Sequence, residues 1–121
     1  MTTKPENTTV QPPQIVDAAG AKQLIDAGRI TIVDVRTKPE INEYGYLAGA
    51  RFIDFRSPDF SETIHALARN DTYLIYCQSG IRGLRTGQLM EKLGFTRVYI
   101  LEGGINTWLR AGLPILHDQQ Q

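Results

Sequence analysis

Cysteine and histidine are scarce in this sequence, and each scarcity excludes a class of site. The only cysteine is Cys77, so the chain can form neither an internal disulfide nor a multi-cysteine zinc site. It also has no second cysteine to resolve an oxidised sulfur at Cys77. The two histidines, His65 and His117, are too few and too far apart in sequence to suggest a metal centre. We therefore expect no metal site.

Excess charge and long apolar runs are also missing. Thirteen basic residues balance thirteen acidic ones, so no overall basic field exists to attract nucleic acid or an anionic membrane. No apolar run approaches the roughly 20 residues that span a bilayer, and the first ten residues lack the apolar centre of a secretory signal. These absences predict a cytoplasmic protein without nucleic-acid or membrane partners.

The remaining composition is that of one globular domain. The chain has 121 residues, of which 41% are apolar and 21% charged, enough for a single hydrophobic core. Residues 1–14 are polar and rich in proline, and we expect a disordered tail there and another at 117–121. The folded domain is thus predicted to span 15–116. Neutral charge and the lack of a long amphipathic surface helix favour a monomer or a weak dimer.

Strand-like and helix-like segments alternate along this domain. Three runs are apolar almost throughout, as in strands that are covered on both faces; they are Ile30–Val35, Thr72–Tyr76 and Arg97–Leu101, with shorter candidates at Ile15–Val16 and Phe52–Ile53. Between them, helical spacing and glycine residues at helix ends predict four helices. The first begins after Asp17, the third spans Leu84–Leu93 and the fourth spans Gly104–Ala111. The second, from Ser61 to Leu67, has a weaker helical pattern. This alternation predicts an α/β domain with a mostly parallel sheet of about five strands and helices on both faces.

The cysteine lies where such a sheet places its reactive groups. Cys77 directly follows a predicted strand, and four residues separate it from Arg82, where a helix should begin. A short loop entering a helix directs several backbone N–H groups into one concavity, and the helix dipole adds positive potential. Gly80 and Gly83 permit close backbone approach. The loop should therefore favour a thiolate at Cys77 and hold an anionic substrate against it.

Two arginines near the start of this helix raise a related question. Arg82 and Arg85 are one turn apart, and cations at a helix N-terminus oppose the helix dipole. A bound anion would relieve that repulsion, and we expect Arg82 to bind it directly, whereas Arg85 is expected to be solvated.

The alternative for Cys77 is a buried structural thiol, a common fate of a lone cysteine. The position of Cys77 between a strand and a Gly-containing turn favours a reactive cysteine over a structural one.

Three separated motifs resemble those of the rhodanese (thiosulfate sulfurtransferase) family, in particular its single-domain members. Asp34-Val-Arg36 with Gly45-Tyr-Leu-Ala-Gly-Ala50 resembles one conserved element of the family. Cys77-Gln-Ser-Gly-Ile-Arg82 resembles its active-site loop, and Leu101-Glu-Gly-Gly-Ile-Asn-Thr-Trp108 resembles its closing segment. The order and spacing of the three agree with a single rhodanese-like domain.

The resemblance implies a ping-pong sulfur transfer that needs no cofactor. Cys77 would take the sulfane sulfur of thiosulfate or another persulfide donor and pass it to cyanide, a small thiol or a protein acceptor. The residues implied to bind substrate are Gln78, Ser79, Gly80, Ile81, Arg82 and Gly83, with Arg36 as a further anion-binding side chain. Asp34 is implied to be structural, and the role of Glu102 stays open.

Departures from the family pattern leave alternatives open. Tyr46 and Ala48 replace the usual His and Pro, and Gly83 replaces a Ser or Thr whose hydroxyl could bond the site. Ile81 places an apolar side chain on the loop rim, either packed on the domain or marking a surface for a protein acceptor. A non-catalytic interaction module and a protein-to-protein sulfur relay are further alternatives. The Cys-x4-Arg spacing disfavours a phosphatase, since related phosphatases carry one residue more.

Overall fold

Five strands alternate with five helices in the computed structural model, which describes residues 10–118. In chain order, the elements are β1 Gln14–Val16, α1 Ala18–Ala27, β2 Thr31–Asp34, α2 Lys38–Tyr44, β3 Arg51–Phe52, α3 Phe60–His65, β4 Thr72–Tyr76, α4 Ile81–Lys92, β5 Arg97–Leu101 and α5 Gly104–Arg110. No helix within the described range is long and apolar enough to cross a membrane.

The five strands form one parallel sheet in the order β1-β5-β4-β2-β3. Strand β4 lies at the centre, with Tyr76 opposite Asp34 on one side and Ile75 opposite Ile100 on the other. All five carboxyl ends therefore meet at one edge of the sheet. The predicted α/β class and strand number are confirmed.

Each face of the sheet is covered by its own apolar cluster. Tyr73, Ile75 and Cys77 point to one face, where they join the buried side chains of α3 and α4. Leu74 and Tyr76 point to the other, where they pack with α1 and α5. This alternation follows from the two-residue repeat of a strand, and it explains why the strand sequences are apolar throughout. The predicted helices on both faces are confirmed.

One helix is not foreseen in the sequence analysis. Helix α2 has seven residues, and only Ile41 among them is buried, so its apolar periodicity is too weak to detect. A local signal was nevertheless present. Thr37 precedes the helix and Glu40 is its third residue, the spacing of a capping box. Pro39 in the first turn agrees with a helix start.

The ends of the predicted domain differ slightly from the structure. Gln14 already pairs with Tyr99, so β1 begins one residue before the predicted boundary at 15. At the other end, Asp118 accepts a hydrogen bond of 2.9 Å from the Tyr46 hydroxyl, and Leu116 pairs with the Tyr46 backbone. The remaining parts of the two predicted tails, 1–9 and 119–121, lie outside the described residues.

Candidate active site

Three loops meet at the carboxyl edge of the sheet, as the sequence predicts for a parallel fold. The loop after β4 begins with Cys77 and Gln78. From the loop after β2, Arg36 donates through Nη1 to Gln78 Oε1 at 3.1 Å. At the start of α5, just after β5, the Ile105 N–H donates to the Cys77 carbonyl at 2.8 Å. The cysteine loop is thus held from both neighbouring strands.

Two backbone N–H groups point at the cysteine sulfur. Gly80 N lies 3.0 Å and Gly83 N lies 3.2 Å from Cys77 Sγ. Gly80 precedes α4 with φ +115°, and Gly83 is the third residue of that helix. Its N–H is one of the first four, which have no partner within the helix. The sulfur therefore stands where a capping oxygen normally stands, at the positive end of the helix dipole.

Helix α5 fixes the direction in which the loop amides point. The N–H groups of Ile105 and Asn106 donate to the carbonyls of Cys77 and Gln78, at 2.8 and 3.1 Å. With these carbonyls turned towards α5, the following amides are free to turn towards the sulfur. Gly104 allows the approach: at φ +64°, a Cβ placed there would lie only 2.5 Å from both carbonyl oxygens.

The sulfur is nevertheless covered. Cys77 is 1% exposed and belongs to the apolar cluster on the α3 and α4 face. Burial is what the structural-thiol alternative predicts, whereas two N–H donors on the sulfur are what the anion-loop interpretation predicts. Above the sulfur, Ser79 and Ile81 are exposed on the rim. The arrangement is a covered sulfur beneath a surface loop.

Arg82 is engaged by a residue that the sequence analysis did not identify. Its Nη1 and Nη2 donate to the two carboxylate oxygens of Glu40 at 2.9 and 2.7 Å. These hydrogen bonds lower the pKa of Glu40 to about 2, against the opposing effect of burial and with help from Thr37. They also raise the pKa of Arg82, to which Cys77 adds a smaller attraction. Direct contact between Arg82 and an anion stays a prediction, and such an anion would share the guanidinium with Glu40.

The Arg36 side chain is buried and bound by other residues of the site. The side chain is 1% exposed, and its Nε and Nη2 bind the Asp34 carboxylate at 3.0 and 2.7 Å. Nη2 also donates to the Gly45 carbonyl, and Nη1 donates to Gln78. These bonds show that Arg36 positions the loop, and direct contact between Arg36 and an anion stays a prediction.

The contact with Gln78 continues into α5. Gln78 Nε2 donates to Asn106 Oδ1 at 2.8 Å, so this side-chain amide is held at both ends. Its orientation is defined by Arg36 on one side and Asn106 on the other. Asn106 was not identified from the sequence, where no pattern links residues 28 positions apart.

Tyr76 also has a larger role than its strand position indicated. Its hydroxyl oxygen accepts the Leu47 N–H at 3.1 Å, and its ring lies 5.3 Å from the Arg36 guanidinium carbon. Burial, followed by the nearby Asp34 charge, raises its pKa. Tyr76 therefore stays protonated and holds the segment after α2 against the site.

The other candidate residues are placed as follows. A Cβ at Gly83 would lie 3.7 Å from Cys77 Sγ, in ordinary contact, so a methyl group would fit there. Arg85 is exposed, as expected, and Glu102 is exposed at the end of β5. Among residues 10–118, no group of three or more His, Cys, Asp or Glu side chains could hold a metal ion.

Comparison with known proteins decides the family. The model of the rhodanese-like domain matches residues 17–111. The chain belongs to the rhodanese family. The match covers β2 to β5 and therefore includes every loop at the site. The rhodanese resemblance inferred from the three sequence motifs is confirmed.

Individual relatives agree on the domain but carry different names. Thiosulfate sulfurtransferase 16, chloroplastic, of Arabidopsis thaliana is 30% identical over 84% of this chain and 92% of its own length. A rhodanese-related protein of Thermoplasma volcanium has a TM-score of 0.75 and 27% identity, covering 87% of this chain and 99% of that one. A protein of unknown function from Rhodopseudomonas palustris, named a possible tyrosine phosphatase, has a TM-score of 0.69 and 27% identity, covering 86% and 85%.

Substitution of Gly104 tests the contact between α5 and the cysteine loop. Gly104→Ala should cost at least about 3 kcal/mol of unfolding free energy, because it adds a clash with two carbonyls to the strain of a positive φ. Gly112→Ala is the matched control: Gly112 also has a positive φ of +72°, but a Cβ there meets nothing within 4 Å. It should cost only about 1 kcal/mol. Equal losses in urea unfolding of the two variants would contradict the role assigned to Gly104.

Acid unfolding tests the pairing of Glu40 with Arg82. Since the pKa of Glu40 falls from 4.5 to about 2, the pair stabilises the fold above pH 4.5 and loses this contribution as the pH falls towards 2. At pH 6, Glu40→Gln should lower the unfolding free energy by about 1–2 kcal/mol, allowing for partial exposure of the pair. At pH 3 the difference from wild type should shrink.

The control for this measurement is Glu43→Gln on the same helix. Glu43 is exposed and appears in no ion pair within the described part of the chain. Its replacement should change stability by less than about 0.5 kcal/mol at either pH. A Glu40→Gln deficit that is the same at pH 6 and pH 3 would show that the carboxylate charge is not what stabilises the site.

Proposed function

We propose that this protein is a sulfurtransferase that carries sulfane sulfur as a persulfide on Cys77. The observation that carries the proposal is the pair of N–H groups, from Gly80 and Gly83, directed at Cys77 Sγ. Such donors favour a negatively charged sulfur over a neutral one. Membership of the rhodanese family and the name of the Arabidopsis relative, a thiosulfate sulfurtransferase, support the same chemistry.

In the first half-reaction, thiosulfate is the expected donor. The Cys77 thiolate attacks the outer sulfur of thiosulfate and forms a new S–S bond. The S–S bond of thiosulfate breaks, and sulfite leaves with its electron pair. The loop from Gln78 to Gly83 would bind the anionic donor, with its amide donors and the nearby Arg82 supplying positive potential. The proposed reaction uses no cofactor.

In the second half-reaction, a nucleophile removes the outer sulfur. A thiolate or cyanide attacks that sulfur, the persulfide bond breaks, and Cys77 leaves as a thiolate. Because Cys77 is the only cysteine, the persulfide cannot be resolved to a disulfide within the same chain. The persulfide can therefore persist until an acceptor arrives. We propose that the reaction takes place in the cytoplasm.

Two alternatives are less well supported by the site. A phosphatase needs a wider cradle than the four residues between Cys77 and Arg82. A purely structural cysteine needs no polar donors, yet two N–H groups meet this sulfur. Relay of sulfur between proteins uses the same chemistry at Cys77 and differs only in the donor and acceptor.

Intact-protein mass spectrometry tests the intermediate directly. After exposure to thiosulfate and removal of the excess, the protein should gain the mass of one sulfur atom, and Cys77→Ser should gain none. Thiocyanate formation from thiosulfate and cyanide should fall at least about a thousandfold in that variant.

The control uses wild-type protein unfolded in urea. Unfolding retains the cysteine but removes the amide donors, so the gain of sulfur should disappear if the loop activates the thiol. Folded protein that gains no sulfur from thiosulfate or from a persulfide donor would overturn the proposed function.

A further inference from the structure

Exposed apolar side chains are concentrated beside the cysteine loop. Among the described residues, seven large apolar side chains are exposed, and three of them line one groove. The three are Ile15 on β1 and Ile81 and Leu84 on α4, with exposures of 57%, 63% and 38%. The groove has a volume of about 220 Å³. The sequence leaves Ile81 open between packing on the domain and marking a surface for a protein acceptor, and in the structure most of this side chain faces solvent.

The groove borders the reactive sulfur. Gly80 forms part of its wall, and the N–H of the same glycine lies 3.0 Å from Cys77 Sγ. Gly103 forms the facing part, and a Cβ on Gly80 would lie 3.3 Å from the Gly103 nitrogen. The end of the groove nearest the sulfur is thus built from backbone without side chains. An extended chain lying there would pass within a few ångströms of the loop that covers the sulfur.

Charges of both signs lie at the groove: the exposed Glu102 forms part of its wall, and Arg85 lies beside it on α4. Arg82 is neutralised by Glu40, but Arg85 is exposed and enters no ion pair among residues 10–118. Ile81 and Arg85 are four residues apart on α4 and therefore share a helix face. A ligand lying along α4 would meet an apolar surface first and a free cation one turn later. Thiosulfate and cyanide are too small and too polar to use this surface.

We propose that this groove docks the protein that accepts sulfur from Cys77, through a segment with an apolar side chain beside its cysteine and an acidic side chain facing Arg85. The inference rests on the proposed sulfurtransferase function and names the class of its acceptor. The acceptor thiolate attacks the outer persulfide sulfur, the new S–S bond forms on the acceptor, and Cys77 leaves as a thiolate. The thiol proton goes to solvent, and no external oxidant or reductant is needed.

Synthetic peptides serve as probes because the acceptor is unidentified. The full chain is loaded with thiosulfate, and single-turnover sulfur transfer is measured to acetyl-Asp-Leu-Cys-Gly amide. The comparison peptides replace Leu with Ser or Asp with Lys. Wild type should transfer to the Leu peptide about tenfold faster than to the Ser peptide, as burial of one apolar side chain in an open groove permits. It should also prefer Asp over Lys severalfold.

Variants then assign these preferences to the groove. Leu84→Gln and Ile15→Gln should bring the Leu-to-Ser ratio close to one, with thiosulfate–cyanide turnover unchanged. Arg85→Glu should invert the preference for Asp over Lys. Leu116→Gln is the matched control, since Leu116 is 46% exposed and does not line the groove. It should keep the wild-type ratios.

The outcomes separate the two proposals. If Cys77 gains no sulfur, the proposed function fails, and this inference fails with it. If Cys77 gains sulfur but transfers it equally to all peptides, or if Leu84→Gln keeps the wild-type ratio, only the docking groove is overturned. Sedimentation should show a monomer; a dimer that Leu84→Gln dissociates would assign the groove to a second copy of this chain and overturn the acceptor.

Discussion

The site depends on the pair of hydrogen bonds by which the first amides of α5 hold the carbonyls of the cysteine loop. The N–H groups of Ile105 and Asn106 donate to the carbonyls of Cys77 and Gln78. With these carbonyls turned towards α5, the N–H groups of the following peptides can face the sulfur. The N-terminus of one helix thus orients the loop that enters another. Two helix N-termini act on the same short segment, α5 on its oxygen atoms and α4 on its sulfur.

Side chains reinforce this backbone arrangement without occupying the mouth of the loop. Gln78 is the first residue after the cysteine, and its amide is held between Arg36 and Asn106. Arg36 is in turn fixed by Asp34 at the end of β2. The three central strands therefore contribute one connected set of contacts. A buried arginine is tolerated because its charge is paired and its donors have acceptors.

The predictable parts of this structure are those encoded by local pattern. The strands β2, β4 and β5 are visible because burial on both faces requires continuous apolar runs, and the position of Cys77 follows from the end of β4. Helix α2 escaped detection because it buries only Ile41. The pairing of Arg82 with Glu40 joins residues 42 positions apart, and nothing in a single sequence marks such a contact.

The same limitation applies to Arg36. From sequence, an arginine at the end of a strand near a reactive loop can either bind substrate or support the loop, because both roles use the same donors. The two roles can be distinguished only in a structure, where the acceptors around each arginine nitrogen can be counted. Asp34, Gly45 and Gln78 together occupy its nitrogens. Arginines at such sites can therefore be assigned to substrate only after their protein partners have been counted.

Burial of the cysteine is compatible with sulfur transfer when the reacting atom is identified correctly. In the proposed second half-reaction the acceptor would attack the outer sulfur of a persulfide, which would lie about 2 Å beyond Sγ. A covered Sγ with two amide donors would stabilise the leaving thiolate, while the transferable sulfur would extend from it. Cover over Sγ also limits attack at the inner sulfur, which would release hydrosulfide in place of transferring sulfur. A sulfur that is 1% exposed is thus suited to transfer by its outer atom, provided that the acceptor is brought to the rim of the loop.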